Sequence, residues 1–457
     1  MQNASVQGLV VGQRRFFASG KTKDVTYRIQ VLERLHRVIS DNEGLILKAL
    51  AADMKKPKLE AYASEIAITL NEIKYIIRKL LSWTKPKRVM TARPLLPSLC
   101  SIIKEPYGVV LILAPWNYPF QLAMAPLVGA IAAGNCAVVK PSELAPATSD
   151  AIEKIFNLNF DQNTIAVVTG GPDTARSLLE EQFDYIFYTG SSRVGKIIME
   201  AAARHLTPIT LELGGKSPCI VDADVNLTYA ARRIVWAKFF NAGQTCIAPD
   251  YLLVDNSIKD VFLSRLKEQI LHFFGHEPFL SPDYARIINS NHFKRLNAYL
   301  SQGEIVIGGQ VMPDDRFIAP TVMDKVPLES PIMTEEIFGP ILPVISYTNL
   351  SEAIDFVNAR PKPLSLYVFT RDKVKQDRVL SGTSSGAVCI NDALVHFASH
   401  YLPFGGVGDS GMGKYHGRSS FETFSHVKSL VKNTMRFDIP LRYAPYRFKF
   451  WFVKKFF

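Results

Sequence analysis

Apolar positions recur three and four apart, with charged residues between them, from Thr26 to Ile39 and again from Leu59 to Ser82, and that spacing predicts helices in the first part of the chain. The period then lapses. From Trp83 to Lys104 the chain is rich in Pro, Arg and Ser, which predicts an extended connector or arm reaching another domain or subunit. From Tyr107 onward short apolar runs (Val109 to Leu113, Ala137 to Val139, Ile165 to Val168, Tyr185 to Tyr188) alternate with helical stretches at Leu122 to Ala133, Ala145 to Phe156 and Thr174 to Glu181. Strand, helix, strand in succession predicts an α/β fold with a parallel sheet covered by helices on both faces. A second region from near Leu211 to about Phe424 repeats the texture, with strand-like pieces at Pro218 to Val221, Tyr251 to Val254, Ile341 to Ser346, Ser365 to Phe369 and Ala387 to Ile390. It reads as a second α/β domain.

The apolar runs of the first region give way to segments of unusual composition: Ala114-Pro-Trp-Asn-Tyr-Pro119, Lys140-Pro-Ser-Glu143, Gly170-Gly171 and Thr189-Gly-Ser-Ser-Arg-Val-Gly195. Open parallel sheets bind ligands beyond the carboxyl ends of their strands, where all four segments fall, so one nucleotide-sized site has use for them together.

With 457 residues, 47% hydrophobic and 21% charged, the chain is long enough for two or three well-filled domains. Its five cysteines are odd in number, scattered and without a C-x-x-C pair, which speaks against a disulfide framework and against a metal site, and for a reducing cytoplasm. Met1 to Gly20 carries no secretory pattern, and no stretch has the length of a membrane span. The net charge of +11 is not an argument for nucleic acid, because five of the cations (Arg442, Arg447, Lys449, Lys454, Lys455) sit in the tail from Pro440 to Phe457. There they interleave with Tyr443, Tyr446, Phe448, Phe450, Trp451, Phe452, Phe456 and Phe457. Such a tail fits peripheral contact with an anionic membrane surface and equally fits packing on its own or a neighbouring subunit.

Chemistry concentrates in a few places. Cys246 ends Phe240-Asn-Ala-Gly-Gln-Thr-Cys246, beyond a helical stretch and behind a glycine turn; a lone cysteine is more often a buried small hydrophobe than a nucleophile. Glu212, in Leu211-Glu-Leu-Gly-Gly-Lys216, stands in an apolar run that would bury it and raise its pKa, as a proton acceptor requires; a salt bridge to Lys216 is the plainer alternative. Asn117 is either a turn residue or an amide donor to an oxyanion. Gly190 to Lys196 looks like a phosphate loop, but Ile197 stands where a Mg-binding Ser or Thr belongs, which leaves a strand-to-helix turn near a cofactor. Gly406-Val-Gly408-Asp-Ser-Gly411 matches a dinucleotide pattern without a preceding strand and reads better as a tight surface loop. Glu335-Glu336-Ile-Phe338-Gly-Pro340 alone is a helix end with a Gly-Pro stop. A Cys-His protease would need His205, His396 or His400 brought to Cys246 by the fold.

Taken in order, Pro115-Trp-Asn117, Lys140-Pro-Ser-Glu143, Thr189-Gly-Ser191, Leu211-Glu-Leu-Gly-Gly-Lys216, Phe240 to Cys246, Glu336-Ile-Phe338-Gly-Pro340 and Pro403-Phe-Gly-Gly406 resemble the aldehyde dehydrogenase superfamily over about residues 8 to 445. Cys246-Ile-Ala-Pro249-Asp-Tyr251, Ser281-Pro-Asp283 with Arg286-Ile-Ile, and Tyr415-His-Gly-Arg-Ser-Ser-Phe421 look like its class 3 branch, the fatty and aromatic aldehyde dehydrogenases. The resemblance implies a Rossmann-like cofactor domain (1–82 and 105–211), an α/β catalytic domain (212–424), a bridging region (83–104 and 425–457) and a homodimer. It implies oxidation of aldehydes to carboxylic acids with NAD or NADP, Cys246 as nucleophile, Asn117 in the oxyanion hole and Glu212 activating the hydrolytic water. Lys140 and Glu143 would meet the adenosine ribose, Thr189, Gly190, Ser191 and Gly195 the pyrophosphate turn, Gly214, Glu336 and Phe338 the nicotinamide end. The carboxylate at Glu143 favours NAD. Tyr118, Trp236, Phe240 and Phe397 are candidate pocket walls.

Overall fold

The structure is a computed structural model that describes residues 4–436, 438, 440–447 and 449–454; Phe448, Lys455, Phe456 and Phe457 of the tail lie outside the described residues. The first sheet has six strands in the order Gly411–Met412, Ile209–Glu212, Tyr185–Thr189, Val109–Leu113, Cys136–Lys140 and Ile165–Val167. All pair in parallel except the first, which runs antiparallel to its neighbour. The chain starts in the middle, steps outward twice, then crosses back to the other side. That reversal opens a crevice beyond the carboxyl ends of Val109–Leu113 and Tyr185–Thr189.

Both faces of this sheet are covered. Val110, Ile112, Ala137 and Val139 enter one core with Leu32, Leu35, Ile73, Ile76 and the helix Gln121–Ala133. Their sequence neighbours Val109, Leu111, Cys136 and Val138 enter another with Val6, Val10, Leu178 and Ile198. Alternation along a strand thus separates two cores, and a sheet buried on both sides reads as an unbroken apolar run. The helix Gln121–Ala133 is buried all round and stops at Gly134, whose φ of 97° few other residues adopt.

A second sheet of seven strands runs Glu304–Ile307, Thr321–Asp324, Ile341–Tyr347, Tyr251–Asp255, Pro218–Val221, Ser365–Phe369 and Ala387–Ile390, parallel apart from the first pair. Glu304–Ile307 and Thr321–Asp324 escape sequence reading; the former is exposed over three of four residues and its apolar run, Ile305 to Ile307, is only three residues long.

Three expectations change. The helix expected over Leu59 to Ser82 is interrupted by a turn of π-helix at Tyr62–Ala67. The connector is not featureless: Lys87–Val89 and Leu99–Pro106 are strands, and the latter pairs antiparallel with Ser425–Lys432 over its whole length. Gly406 to Gly411 is not a free surface loop either. Ser410 and Gly411 are buried, and the turn closes the edge of the first sheet where Gly411 pairs with Glu212. No helix of the described residues is long and apolar enough to cross a membrane.

Candidate active site

The carboxyl ends of the first sheet face the amino ends of the second. Glu212 closes one strand, and Cys246, Phe338 and Leu364 each stand a few residues before another. Between them lies a cavity of about 220 Å³ bordered by Glu212, Cys246 and Thr189. Its walls are otherwise nearly all apolar, and Tyr118, Trp236, Phe240 and Phe397 all line it.

The loop carrying Cys246 is held in an improbable shape. Asn241 and Ala242 have φ of 54° and 51°, and Gly243 follows at 73°. Each non-glycine residue there costs roughly 1–2 kcal/mol. The cost is met by contacts that leave no alternative. Glu60 accepts from Asn241 N at 3.1 Å, the Asn241 amide donates to the Asn117 carbonyl at 2.9 Å, and a Cβ on Gly243 would lie 2.2 Å from the Gly339 carbonyl. Gln244 is fully buried; its amide donates to the carbonyls of Asn241 and Arg286 at 3.1 and 3.0 Å and accepts from Ile288 N at 2.9 Å. Beside the cysteine, Thr245 Oγ1 and the Tyr118 hydroxyl are 2.7 Å apart.

Burial pushes the Cys246 thiol up, and the carboxylates of Glu336 and Glu212 add to that, while the backbone N–H groups of Cys246 and Ile247 oppose it. Those carboxyls are themselves shifted. Burial raises Glu212 well above the carboxylate range, and both its oxygens are without a hydrogen-bond partner. Glu336 is pushed up to about 8, by burial and then by the charge of Asp250.

The salt bridge considered for Glu212 does not form. Lys216 pairs with Asp250 and donates to the carbonyls of Ile332 and Glu335, both at 2.8 Å. Asp250 also accepts from Ile337 N at 3.0 Å, which ties the segments before three strands together. Asn117 is buried beside the cavity, not in its wall, and one amide N–H donates to the Gln244 carbonyl at 3.1 Å.

A second cluster adjoins the first. A Cβ on Gly214 would lie 1.9 Å from Glu336 Oε2, while Glu336 Oε1 is buried without a partner. Phe338, at φ 48°, meets Trp116 edge to face at 5.2 Å. Along the crevice, Ser191 caps the helix Ser192–Ala203 and Gly195 packs on Leu213, where a Cβ would come within 2.9 Å. Gly190 is as tightly set, 2.2 Å from the Tyr188 hydroxyl by the same measure. Thr189 Oγ1 has no partner. Lys140, nearly buried at the end of its strand, pairs with half-exposed Glu143 at 2.9 Å, apart from the cavity.

Several residues of the site's frame carried no sequence signal. Lys56 and Glu65 form a fully buried pair at 2.6 Å; Lys56 sits over the Tyr118 ring at 4.0 Å, and Glu65 accepts from Phe120 N and Gln121 N at 2.9 and 3.3 Å. The histidine that meets a cysteine is His396, whose Nδ1 is 3.1 Å from Cys389, not Cys246.

The sequence profile described as the aldehyde dehydrogenase family matches residues 3–430. The chain is 49% identical over 446 residues to 4,4'-diaponeurosporen-aldehyde dehydrogenase of Staphylococcus aureus, covering 97% of each chain. It is 47% identical over 444 residues to aldehyde dehydrogenase family 3 member A2 of Mus musculus, covering 95% of this chain and 90% of that one. Among solved structures, Staphylococcus aureus AldH in its substrate-bound state superposes with a TM-score of 0.97 at 48% identity, over 99% of both chains.

Proposed function

This chain belongs to the aldehyde dehydrogenase family, in the class 3 branch, and oxidises aldehydes to carboxylic acids with NAD or NADP; from that premise we propose which of its residues do the work. The observation that carries the assignment is the joint border of Cys246 and a partnerless, buried Glu212 on one apolar cavity.

Cys246, as thiolate, attacks the aldehyde carbon, and the carbonyl π pair moves onto oxygen. The oxyanion that forms takes hydrogen bonds from the Cys246 backbone N–H and the free N–H of the Asn117 amide. A dinucleotide bound in the crevice would supply the hydride acceptor for that carbon, and the acyl group is then held as a thioester on Cys246. Glu212 takes a proton from water, the water oxygen bonds to the acyl carbon, and the thiolate departs as the acid is released. The apolar walls, with Tyr118, Trp236, Phe240 and Phe397, suit aliphatic chains and aromatic rings.

The crevice residues fit a dinucleotide: Gly214 leaves room that any Cβ would fill, and Glu336 Oε1 and Thr189 Oγ1 are buried acceptors awaiting a donor. Glu336 and Phe338 hold the nicotinamide end. Gly190, Ser191 and Gly195 line the pyrophosphate, and Lys140 and Glu143 take the adenosine ribose. Glu143 repels a 2'-phosphate, so NAD is preferred. Residues 1–82 and 105–211 form the cofactor domain, whose sheet is completed at its edge by Gly411–Met412, and the rest of 212–424 forms the catalytic domain, joined by 83–104 and 425–457. Two copies pair through the free edge of Ser425–Lys432, where Val427 and Val431 are 54% and 53% exposed. The enzyme works in the cytoplasm, its basic aromatic tail touching anionic bilayers; Tyr446, Phe450 and Trp451 are 64%, 76% and 75% exposed.

NADH formation by wild type, Cys246→Ala and Glu212→Gln, with straight-chain and aromatic aldehydes, tests the assignment. The alanine variant forms no NADH; the glutamine variant releases about one per site and retains an acyl group. A cysteine variant with wild-type turnover ends the proposal.

A further inference from the structure

Acylation and hydrolysis as assigned leave the hydroxyl of Tyr415 without a part to play. Tyr415 borders the cavity, and its hydroxyl is buried without a hydrogen-bond partner, as are both oxygens of Glu212. A buried polar group left unpaired costs about 1–3 kcal/mol, so a partner must arrive at some stage for the arrangement to be worth keeping.

Tyr415 is also the most firmly placed of these groups. Its backbone exchanges both hydrogen bonds with Phe404, at 2.8 and 3.0 Å. Its ring is held edge to face by Phe187 at 5.2 Å, Phe404 at 5.7 Å and His416 at 4.5 Å. The neighbouring strand Gly411–Met412 pairs with Leu211 and Glu212, so the segment carrying Tyr415 is anchored to the strand carrying the proposed base. Two other partnerless groups border the cavity, Thr189 Oγ1 and Gln121 Oε1. The first belongs to the cofactor crevice, and the second is an acceptor, unable to hold a water by its lone pair.

Resting on the assignment of Cys246 and Glu212, we propose that Tyr415 is a positioning residue for thioester hydrolysis, its hydroxyl donating to the water that Glu212 deprotonates. One proton points at Glu212, one lone pair accepts from Tyr415, and the other lone pair faces the acyl carbon. As the oxygen bonds to carbon its proton passes to Glu212, the carbon–sulfur bond breaks, and Cys246 leaves as thiolate. Tyr415 keeps its proton throughout; burial and the charges of Glu212 and Cys246 all hold its hydroxyl well above the usual phenol range.

The test compares wild type, Tyr415→Phe and Glu212→Gln after a pulse of hexanal, less than one per site, with NAD. Intact mass follows the acyl adduct, and absorbance follows NADH. In Tyr415→Phe, NADH forms at the wild-type rate while the adduct decays about tenfold more slowly, the worth of one neutral hydrogen bond. Hydroxylamine, a nucleophile that needs no deprotonation, restores the decay. Equal slowing of NADH formation and adduct decay, or no slowing of either, overturns the inference while leaving Glu212 its role. Absence of a persistent adduct in Glu212→Gln overturns the underlying assignment instead, and this inference with it.

Discussion

A thiol and two carboxyls share one dry corner, and none keeps its solution chemistry there. Burial pushes Glu336 up to about 8 and raises Glu212 well above the usual carboxylate value, which favours the neutral form of each over the charged one. A general base must be ionised to act, so hydrolysis gains as pH rises. Beside them, Gly214 is needed for its missing side chain. A methyl group placed 1.9 Å from Glu336 Oε2 drives that carboxylate out of place, so Gly214→Ala raises the KM for NAD at least about tenfold with little change in thermal stability. Dinucleotide titration of the variant checks this. Much of this corner was legible in the sequence, because each motif is contiguous: a glutamate inside an apolar run, a cysteine behind a glycine turn. Tyr415 was visible only as part of a branch motif, since nothing local to it says that Phe187 and Phe404 would lock its ring.

Among the elements, the turn of π-helix at Tyr62–Ala67 bears on function. It breaks an otherwise regular helix, puts Ala63 and Ser64 in the cavity wall, and turns Glu65 onto two backbone N–H groups at the start of the buried helix Gln121–Ala133. π-turns frequently mark functional sites, and helical periodicity cannot show one, because a single wide turn barely disturbs the spacing. Just beyond it, Glu72 joins the helix Ile68–Trp83 to the turn before Arg418–Thr423, accepting from Gly417 N at 2.8 Å. Burial pushes its carboxyl up to about 7. A carboxyl raised on folding binds its proton more tightly in the native state, so its stabilisation is complete below its unfolded pKa of about 4.5 and disappears as pH climbs to about 7. Glu72→Gln removes that dependence: chemical denaturation between pH 4.5 and 7 shows a smaller loss of stability with rising pH in the variant than in wild type. An identical slope in both contradicts it. Most of the strand succession of the two sheets was readable from apolar runs, whereas Lys87–Val89 and Leu99–Pro106 were not, since Leu99–Pro106 is stabilised by pairing with Ser425–Lys432, over three hundred residues away, and Lys87–Val89 pairs in turn on Leu99–Pro106.

At the scale of the whole molecule, two surfaces remain open. The strand Ser425–Lys432 has one paired edge and exposed Val427, Leu430 and Val431, the surface proposed for pairing with a second copy. In the tail beyond it Tyr443, Tyr446, Phe450 and Trp451 are exposed. Because strand and tail are separate in the chain, they are separable by truncation. Protein lacking residues 446–457 elutes as a dimer and oxidises aldehydes as before, yet no longer sediments with vesicles containing phosphatidylserine. Sedimentation unchanged by the truncation rules out a bilayer role for the tail, and a monomeric product shows that it serves the subunit contact.

The meeting of two sheets end to end divides the labour of recognition. On the proposed assignment the dinucleotide is read mainly by segments that follow strands of the first sheet, whereas much of the apolar wall comes from residues before or beyond strands of the second. Selection acting on one set therefore leaves the other largely undisturbed. A lineage of such enzymes is free to wander across aldehydes of very different length and shape while keeping the same hydride carrier, and to exchange that carrier without surrendering its diet.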